Sequence, residues 1–322
     1  MQANATAKNS TMPETPSGLK EAIRRKALDL GFCAAGFAAA KPLSGALEEY
    51  RQMLAEGRHG EMGYLETGLE ARANPELLLP DLKTVLSVAL PWPAPATAGG
   101  ISGYAVIPDY HRVVGELLTA LLDFIRSISE RPVNARACVD SSPVLEKAWA
   151  EAAGIGRAGR NTLLIAPGHG SRVFLGELLL DIELEPDAPL DWNPCGDCTA
   201  CLDACPTGAL AAPGKLDAQR CISYLTIELK RDFTEEEAAT TDGWLYGCDR
   251  CIDACPHNAS AEPTTYPGFE PKDELANLSA AEILALTGSQ FRKLFAGTPP
   301  LRLGLKRLKR NARAALERTN KQ

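Results

Sequence analysis

The feature that most constrains this chain is a pair of cysteine runs, which together with one cysteine between them contain eight of its ten cysteines. The first run is Cys195-x-x-Cys198-x-x-Cys201-x-x-x-Cys205-Pro206, and the second is Cys248-x-x-Cys251-x-x-x-Cys255-Pro256. A run of this spacing is typical of [4Fe–4S] proteins, and its fourth cysteine binds the other cluster of a pair. The spacing therefore predicts two clusters, one on Cys195, Cys198, Cys201 and Cys255, the other on Cys205, Cys221, Cys248 and Cys251.

Two other uses of cysteine fit this pattern less well. Disulfides need an oxidising compartment, but the first residues, MQANATAKNS, contain no apolar run and no twin arginine. Structural zinc prefers paired knuckles of two or four ligands over this interleaved arrangement. We therefore expect a reduced, cytoplasmic protein that carries electrons one at a time, with Cys33 and Cys138 as small core residues.

Composition and charge set limits on the partners of the chain. A length of 322 residues with 45% hydrophobic residues is ample for one large or several small domains, and the formal charge of −7 gives no general attraction to nucleic acid. No apolar run is long enough to span a bilayer, so we expect no membrane contact. The C-terminal segment is the exception in charge, because basic residues crowd it from Arg302 onward. That segment is either a solvated helix or a phosphate-binding surface, for which Lys306, Arg307, Lys309 and Arg310 are the candidates.

The order of predicted elements divides the chain into four parts. Residues 1–16 form a disordered lead, and 17–190 alternate between helices and short strands, which favours an α/β domain. Within it the pattern predicts helices from 17 and over 109–128, strands over 84–90, 133–139, 162–165 and 172–184, and a helix that starts at Pro143. Residues 191–262 contain the cysteines, and 263–322 form a helical segment with a capping box at Ser279 and Glu282.

Asp140 is the candidate for acid chemistry. It ends the apolar strand Ala137-Cys138-Val139, and sites in α/β proteins gather at the carboxyl ends of strands. Asp is also a common N-cap, so Asp140 could instead cap the helix predicted from Pro143. From these residues alone, both roles remain open.

Nearly the whole chain after residue 17 resembles the epoxyqueuosine reductase family. The resemblance rests on RHGEMGYLE, RANPELLLPDLKTVLSVAL, Asp109-Tyr110-His111, the stretch VDSSPVLEKAWAEAAGIGRAGRNTLLIAPGHGSRVFLGELLLDIELE, both cysteine runs, CISYLTIE and FRKLFAGTPPLRLGLKRLKRNARAAL. The chain departs from the family pattern at Arg157, Arg160, Leu180 and His257. These departures weaken the assignment of the substrate more than the assignment of the cofactors.

The resemblance implies a nitroreductase-like α+β domain that holds cobalamin beside the two clusters. It implies reduction of an epoxide on the wobble base of tRNA, recognised in the anticodon stem-loop, with Asp140 as the proton donor, an external low-potential electron donor and a monomeric protein. A proton donor would need its pKa raised by burial. By motif matching the corrin would contact Asp140 together with Arg72, Ser102, Asn161, Leu164, Leu175 and Ser223. Cobalamin in this family has no protein histidine beneath cobalt, and we expect His111 to lie at a helix start, since Gly115 falls one position too late for the Asp-x-His-x-x-Gly ligand motif.

Two other functions stay open at this level. One is a cytoplasmic corrinoid iron–sulfur reductase of a small molecule, akin to reductive dehalogenases, for which a basic tail would have no use. The other is a ferredoxin-type electron carrier, which would need neither Asp140 nor a corrin pocket.

Overall fold

A four-stranded sheet organises the N-terminal half of the molecule. The computed structural model describes residues 16–97, 100–262, 264 and 266–319, so the predicted lead of residues 1–16 lies outside the described residues except for Pro16. The elements of the first part are α1 Pro16–Asp29, β1 Ala34–Ala39, α2 Ser44–Ala55, α3 Leu69–Ala73, β2 Thr84–Pro91, α4 Tyr110–Ile128, β3 Ala135–Cys138, α5 Glu146–Ala152, β4 Arg157–Ala158, β5 Leu164–Ile165 and β6 Val173–Leu180.

The remaining elements are shorter until the last helix. They are α6 Ala200–Asp203, β7 Leu210–Ala212, β8 Lys215–Leu216, α7 Ile222–Ile227, α8 Glu235–Thr240, α9 Arg250–Asp253, α10 Pro256–Ala259, α11 Asp273–Ala276, α12 Ala280–Ala285, α13 Gly288–Leu294 and α14 Leu305–Thr319. Single 3-10 turns occur at Gly63–Leu65, Pro75–Leu77, Gly103–Ala105, Ala218–Arg220, Pro267–Phe269 and Pro299–Leu303.

The sheet has the strand order β1-β2-β6-β3, and each neighbouring pair is antiparallel. The prediction of a mixed helix-and-strand fold is confirmed, with the antiparallel pairing of an α+β domain in place of the parallel sheet that strand–helix alternation favours. Strand β2 is buried along its whole length because both faces are covered. Helices α1 and α4 pack on one face through Ile23, Leu118 and Leu121, and α5 packs on the other through Trp149.

Most of the helix and strand predictions are confirmed, with one shift and several observed elements that were not predicted. The predicted helices near 17 and 109 and the capping box at Ser279 are present. Strand β1 and helix α2 were not predicted. The helix expected from Pro143 begins instead at Glu146, with Leu145 as its N-cap residue. Asp140 therefore lies outside that helix cap, and its alternative role as the cap is wrong.

The C-terminal helices pack back onto earlier parts of the chain. A second core joins Phe291, Phe295 and Leu308 to Ile101 and Tyr246. The predicted domain boundaries at residues 190 and 262 stay predictions. Apolar contacts cross the boundary at 262, because Tyr246 and Phe291 belong to the same core. Within the part of the chain that the structure describes, none of the helices has the length and apolarity that crossing a bilayer requires.

Candidate active site and cluster-binding cysteines

The seven cysteines of the two runs and Cys221 line two separate cavities. Cys195, Cys198, Cys201 and Cys255 surround a cavity of about 120 Å³. Cys205, Cys221, Cys248 and Cys251 lie on the wall of a larger cavity of about 430 Å³. These are the two groups of four that the spacing predicts, and each draws its members from both cysteine runs.

The arrangement of the thiols suits an iron–sulfur cube. Among the described residues, no three His, Cys, Asp or Glu side chains converge as the ligands of a single metal ion must. The thiolates of a [4Fe–4S] cluster bind four different irons, so they surround a cavity instead of meeting at a point. Burial, with the charges of Cys248, Cys221 and Cys205 adding to it, raises the pKa of Cys251 to about 12. Four thiolates on one cavity wall would repel one another, and the irons of a bound cluster would supply the positive charge that offsets this repulsion.

Short helices fix the positions of these thiols. Helix α7 starts directly after Cys221, and α10 starts directly after Cys255 with Pro256 as its first residue, the position that proline favours. The backbone N–H of Arg160 donates to Cys195 Sγ at 3.3 Å. The Cys255-Pro256 pair thus serves the local backbone as well as the ligand pattern.

The larger cavity extends from the second thiol set to Asp140. Its wall includes a group of aromatic side chains, namely Trp92, Tyr104, Tyr110 and Phe174. Tyr110 stacks on Phe174 with ring centroids 4.2 Å apart and planes within 3°. A largely apolar cavity lined by both thiols and a carboxylate fits a corrin ring placed within reach of an electron source and a proton source.

Four of the seven predicted corrin contacts lie on this wall: Asp140, Asn161, Leu175 and Ser223. The other three do not line the cavity. Leu164 is buried in a small core with Ala150, and Ser102 is fully buried and donates from Oγ to Asp249. Arg72 donates to the Thr67 carbonyl at 2.6 Å. Their contact with a corrin stays a prediction.

Several wall residues were missed by the sequence reasoning. Thr162 and Leu163 neighbour the predicted Asn161, and Phe174 neighbours the predicted Leu175. Thr162 has φ 67° and Asp140 has φ 55°. Positive φ is costly for both residue types, most of all for β-branched Thr, and such strain concentrates at functional sites. The family motifs that contain these residues were the available signal.

Asp140 belongs to a chain of hydrogen-bonded groups. His111 Nε2 lies 2.9 Å from Asp140 Oδ2, and His111 Nδ1 lies 2.7 Å from Asp109 Oδ1. Burial opposes the charged imidazolium, but the two carboxylates outweigh it and raise the pKa of His111 to about 9. Below that pH, His111 carries a proton in direct contact with Asp140.

The pKa of Asp140 is shifted in the direction opposite to the one that a proton donor would need. The hydrogen bond from His111 lowers the pKa of Asp140, and this outweighs the burial that would raise it. The proton therefore resides on His111, and Asp140 is its acceptor. His111 itself is the second residue of α4, as expected for a helix-start histidine.

A second carboxyl holds the backbone of Asp140. The Asp140 N–H donates to Glu146 Oε1 at 2.6 Å. Burial raises the pKa of Glu146 to about 7. Behind it, Glu177 on β6 is fully buried, and neither of its carboxylate oxygens has a hydrogen-bond partner in the described part of the chain.

The basic tail divides into buried and exposed residues. Arg310 is 6% exposed and donates to the carbonyls of Leu229, Leu225 and Arg231. Arg307 donates to the Ile227 carbonyl at 3.0 Å. The prediction that Arg310 contacts phosphate is therefore wrong, because its guanidinium fastens α14 to the cysteine-containing segment, whereas Lys306 is exposed.

Two family models match the chain. Residues 72–141 match the one described as "Epoxyqueuosine reductase QueG, DUF1730". Residues 194–258 match the one described as "4Fe-4S double cluster binding domain". Together these cover the Asp140 loop and both cysteine runs.

Full-length relatives and solved structures are similar to the chain as well. An epoxyqueuosine reductase of Cellulophaga algicola is 39% identical over 294 residues, which span 90% of this chain and 95% of that protein. An epoxyqueuosine reductase crystallised with an epoxyqueuosine-modified tRNA-Tyr stem loop superposes with a TM-score of 0.87 at 34% identity, over 94% of this chain and 82% of the other. A Bacillus subtilis structure, in which the loop of a catalytic aspartate is swung out of the active site, gives a TM-score of 0.86 at the same identity and coverage.

Proposed function

The chain belongs to the epoxyqueuosine reductase family, and from this premise we infer that it reduces epoxyqueuosine to queuosine in tRNA. The reaction consumes two electrons and two protons, releases water and turns the epoxide into a cyclopentene. The observation that carries this proposal is the position of Asp140, which is hydrogen-bonded to His111, on the wall of the cavity that four thiols also line.

The cofactors of the family are two [4Fe–4S] clusters and cobalamin. We assign the first cluster to Cys195, Cys198, Cys201 and Cys255, the second to Cys205, Cys221, Cys248 and Cys251, and the corrin to the larger cavity beside Asn161, Leu175 and Ser223. Bound there, cobalamin supplies the two-electron reduction, fed by the clusters one electron at a time. The aromatic wall orients the ring and excludes water from the cavity.

The chain's own residues manage the protons. As the epoxide opens, its oxygen becomes basic and needs an acid in hydrogen-bond reach. Asp140 is that acid in this proposal. His111 holds the proton at neutral pH and delivers it to Asp140 Oδ2, so that Asp140 can pass a proton to the oxygen. Glu146 keeps the Asp140 backbone in its strained conformation through the bond to its N–H.

Electron delivery and cellular setting complete the proposal. Cys198 is the exposed thiol of the first set, whereas Cys201 and Cys255 are buried. An external low-potential donor would therefore meet the chain beside Cys198. We propose that the protein works as a cytoplasmic monomer, and that the exposed basic residues of the tail, Lys306 among them, contact the phosphates of the anticodon stem-loop.

Nucleoside mass spectrometry tests this function. The chain is expressed, with cobalamin supplied, in a bacterial strain that lacks its own epoxyqueuosine reductase. We expect tRNA from this strain to contain queuosine in place of epoxyqueuosine. The protein purified from the same cells is assayed for iron and cobalamin. If it holds eight irons and one cobalamin while the tRNA still contains epoxyqueuosine, the proposal is contradicted.

A further inference from the structure

An exposed aromatic side chain lies on the segment that packs against the Asp140 loop. Tyr64 lies on the 3-10 turn Gly63–Leu65 and is 55% exposed, more than any other aromatic residue in the described part of the chain. Aromatic side chains are usually buried in a protein's own core. A ring held at the surface beside a reaction site therefore suggests a ligand that covers it.

Contacts with the Asp140 loop fix the segment that carries Tyr64. Gly68, four residues on, packs so closely on Pro143 that a Cβ atom there would lie 2.8 Å from the proline Cβ. The Tyr50 hydroxyl donates to the Leu65 carbonyl at 2.6 Å. Burial of part of the ring raises the pKa of the Tyr64 phenol to about 12, and the charges of Glu228 and Asp140, which lie within electrostatic range, add to the rise.

A guanidinium lies on a segment that borders the start of α4. Arg302 belongs to the turn Pro299–Leu303, and the Asp109 N–H donates to the Gly297 carbonyl at 2.8 Å, so this segment borders the start of α4. Arg302 Nη2 lies 2.7 Å from Glu228 Oε1, and the Arg302 side chain is 53% exposed. Its partly exposed positive charge therefore belongs to the segment that borders the helix end holding His111.

We propose that Tyr64 and Arg302 form a nucleotide-binding rim, on which an unpaired base next to the wobble nucleotide stacks on the Tyr64 ring while its phosphate binds Arg302. This inference rests on the proposed function and adds the residues that recognise the RNA. A wobble nucleotide that reaches Asp140 must leave the stack of the anticodon loop. An exposed ring restores stacking to the neighbour left behind, and single-stranded RNA is typically held in this way.

The test is the affinity of the full chain, with its clusters and cobalamin, for a fluorescent anticodon stem-loop that carries epoxyqueuosine, measured by anisotropy at several salt concentrations. Loss of one base stack weakens binding by about 5- to 150-fold. We expect that loss for Tyr64→Ala and Tyr64→Leu, with the salt dependence unchanged, and near wild-type affinity for Tyr64→Phe. Arg302→Gln should weaken binding and reduce the log–log salt slope by about 0.7 to 0.9.

Two controls separate RNA contact from structure. Arg126→Gln alters an exposed arginine on α4 about 22 Å along the helix from His111, and should change neither affinity nor slope. Glu228→Gln breaks the same ion pair as Arg302→Gln but leaves the guanidinium in place, so it should not weaken binding. Equal losses of affinity in Arg302→Gln and Glu228→Gln would overturn the role of Arg302. Wild-type affinity in Tyr64→Ala would overturn the stacking role of Tyr64.

The failure of this inference differs from failure of the proposed function. If the wild-type protein converts the modified stem-loop while Tyr64→Ala and Arg302→Gln bind it equally well, the rim is wrong and the reaction stands. If the wild-type protein neither binds nor converts the modified stem-loop, the proposed function is wrong, and so is the proposed nucleotide-binding rim.

Discussion

His111 Nε2 donates to Asp140 Oδ2 across 2.9 Å, which joins the start of α4 to the loop after β3. Asp109 holds the other ring nitrogen at 2.7 Å. The order of the three groups fixes where the proton resides, because two carboxylates stabilise one imidazolium between them. Asp140 can therefore act as an acid only after it receives the proton of His111.

This relationship predicts an alkaline limb in the pH profile. The pKa of His111 is raised to about 9, so the pair is loaded with a proton at neutral pH and loses it as the pH rises through that value. We expect kcat/KM for a stem-loop substrate, measured with excess reductant, to fall above about pH 9. His111→Asn should lower kcat by about 100-fold at pH 7 and shift or abolish that limb. A variant with the wild-type profile would show that His111 has no part in proton delivery.

The same pair contributes to stability with a defined sign. Because the folded-state pKa of His111 exceeds the usual value, its contribution is fully present below about pH 6.5 and is lost as the pH rises through about 9.

The second cluster is expected to depend on Cys221, which lies outside both cysteine runs. Cys221 lines the same cavity wall as Cys205, Cys248 and Cys251. Cys221→Ser should leave the first cluster intact and lower the iron content from about eight towards four per chain, as assayed by iron analysis and electron paramagnetic resonance after anaerobic reconstitution. Cys33→Ser is the matched control, since Cys33 packs beside an apolar core. Full iron content and two unchanged signals in Cys221→Ser would exclude Cys221 as a ligand.

Glu177 predicts a pH-dependent loss of stability. Burial raises the pKa of Glu177 far above its usual range, and nearby Glu146 adds to the shift. The folded state therefore binds a proton that the unfolded chain releases above about pH 4.5, so the contribution of Glu177 to stability declines as the pH rises. Glu177→Gln should be more stable than wild type at pH 8 by about 1 to 3 kcal/mol, and the difference should shrink at pH 5. Urea unfolding at both pH values measures this, and a difference independent of pH would contradict it.

The cysteine spacing and the helix caps were readable from the sequence because each is a local pattern. Asp109 caps α4, and Ser279 and Glu282 form the capping box of α12. The cysteine pattern also predicts which thiols share a cavity, since the exchange of the fourth ligand between clusters is built into the motif.

Features that depend on tertiary contacts could not be read in the same way. Strand β1, with the sequence AAGFAA, has little strand propensity and exists because Phe37 pairs with Leu86 on β2. His111 and Asp140 are 29 positions apart, and no local pattern joins them. Arg310 has the same sequence appearance as the exposed Lys306 and Arg313, and only the carbonyls of α7 and of the segment after it explain why Arg310 is buried.

The most direct test of this account is a single-turnover reaction of the reduced, cluster- and cobalamin-loaded protein with an epoxyqueuosine stem-loop, with wild type and Asp140→Asn compared by nucleoside mass spectrometry. Asn keeps the size of Asp140 but cannot transfer the proton. We predict that wild type forms queuosine while Asp140→Asn, with equal iron and cobalamin content, is slower by about 100- to 10,000-fold. Turnover of Asp140→Asn within a few-fold of wild type would contradict the central claim that Asp140 delivers the proton.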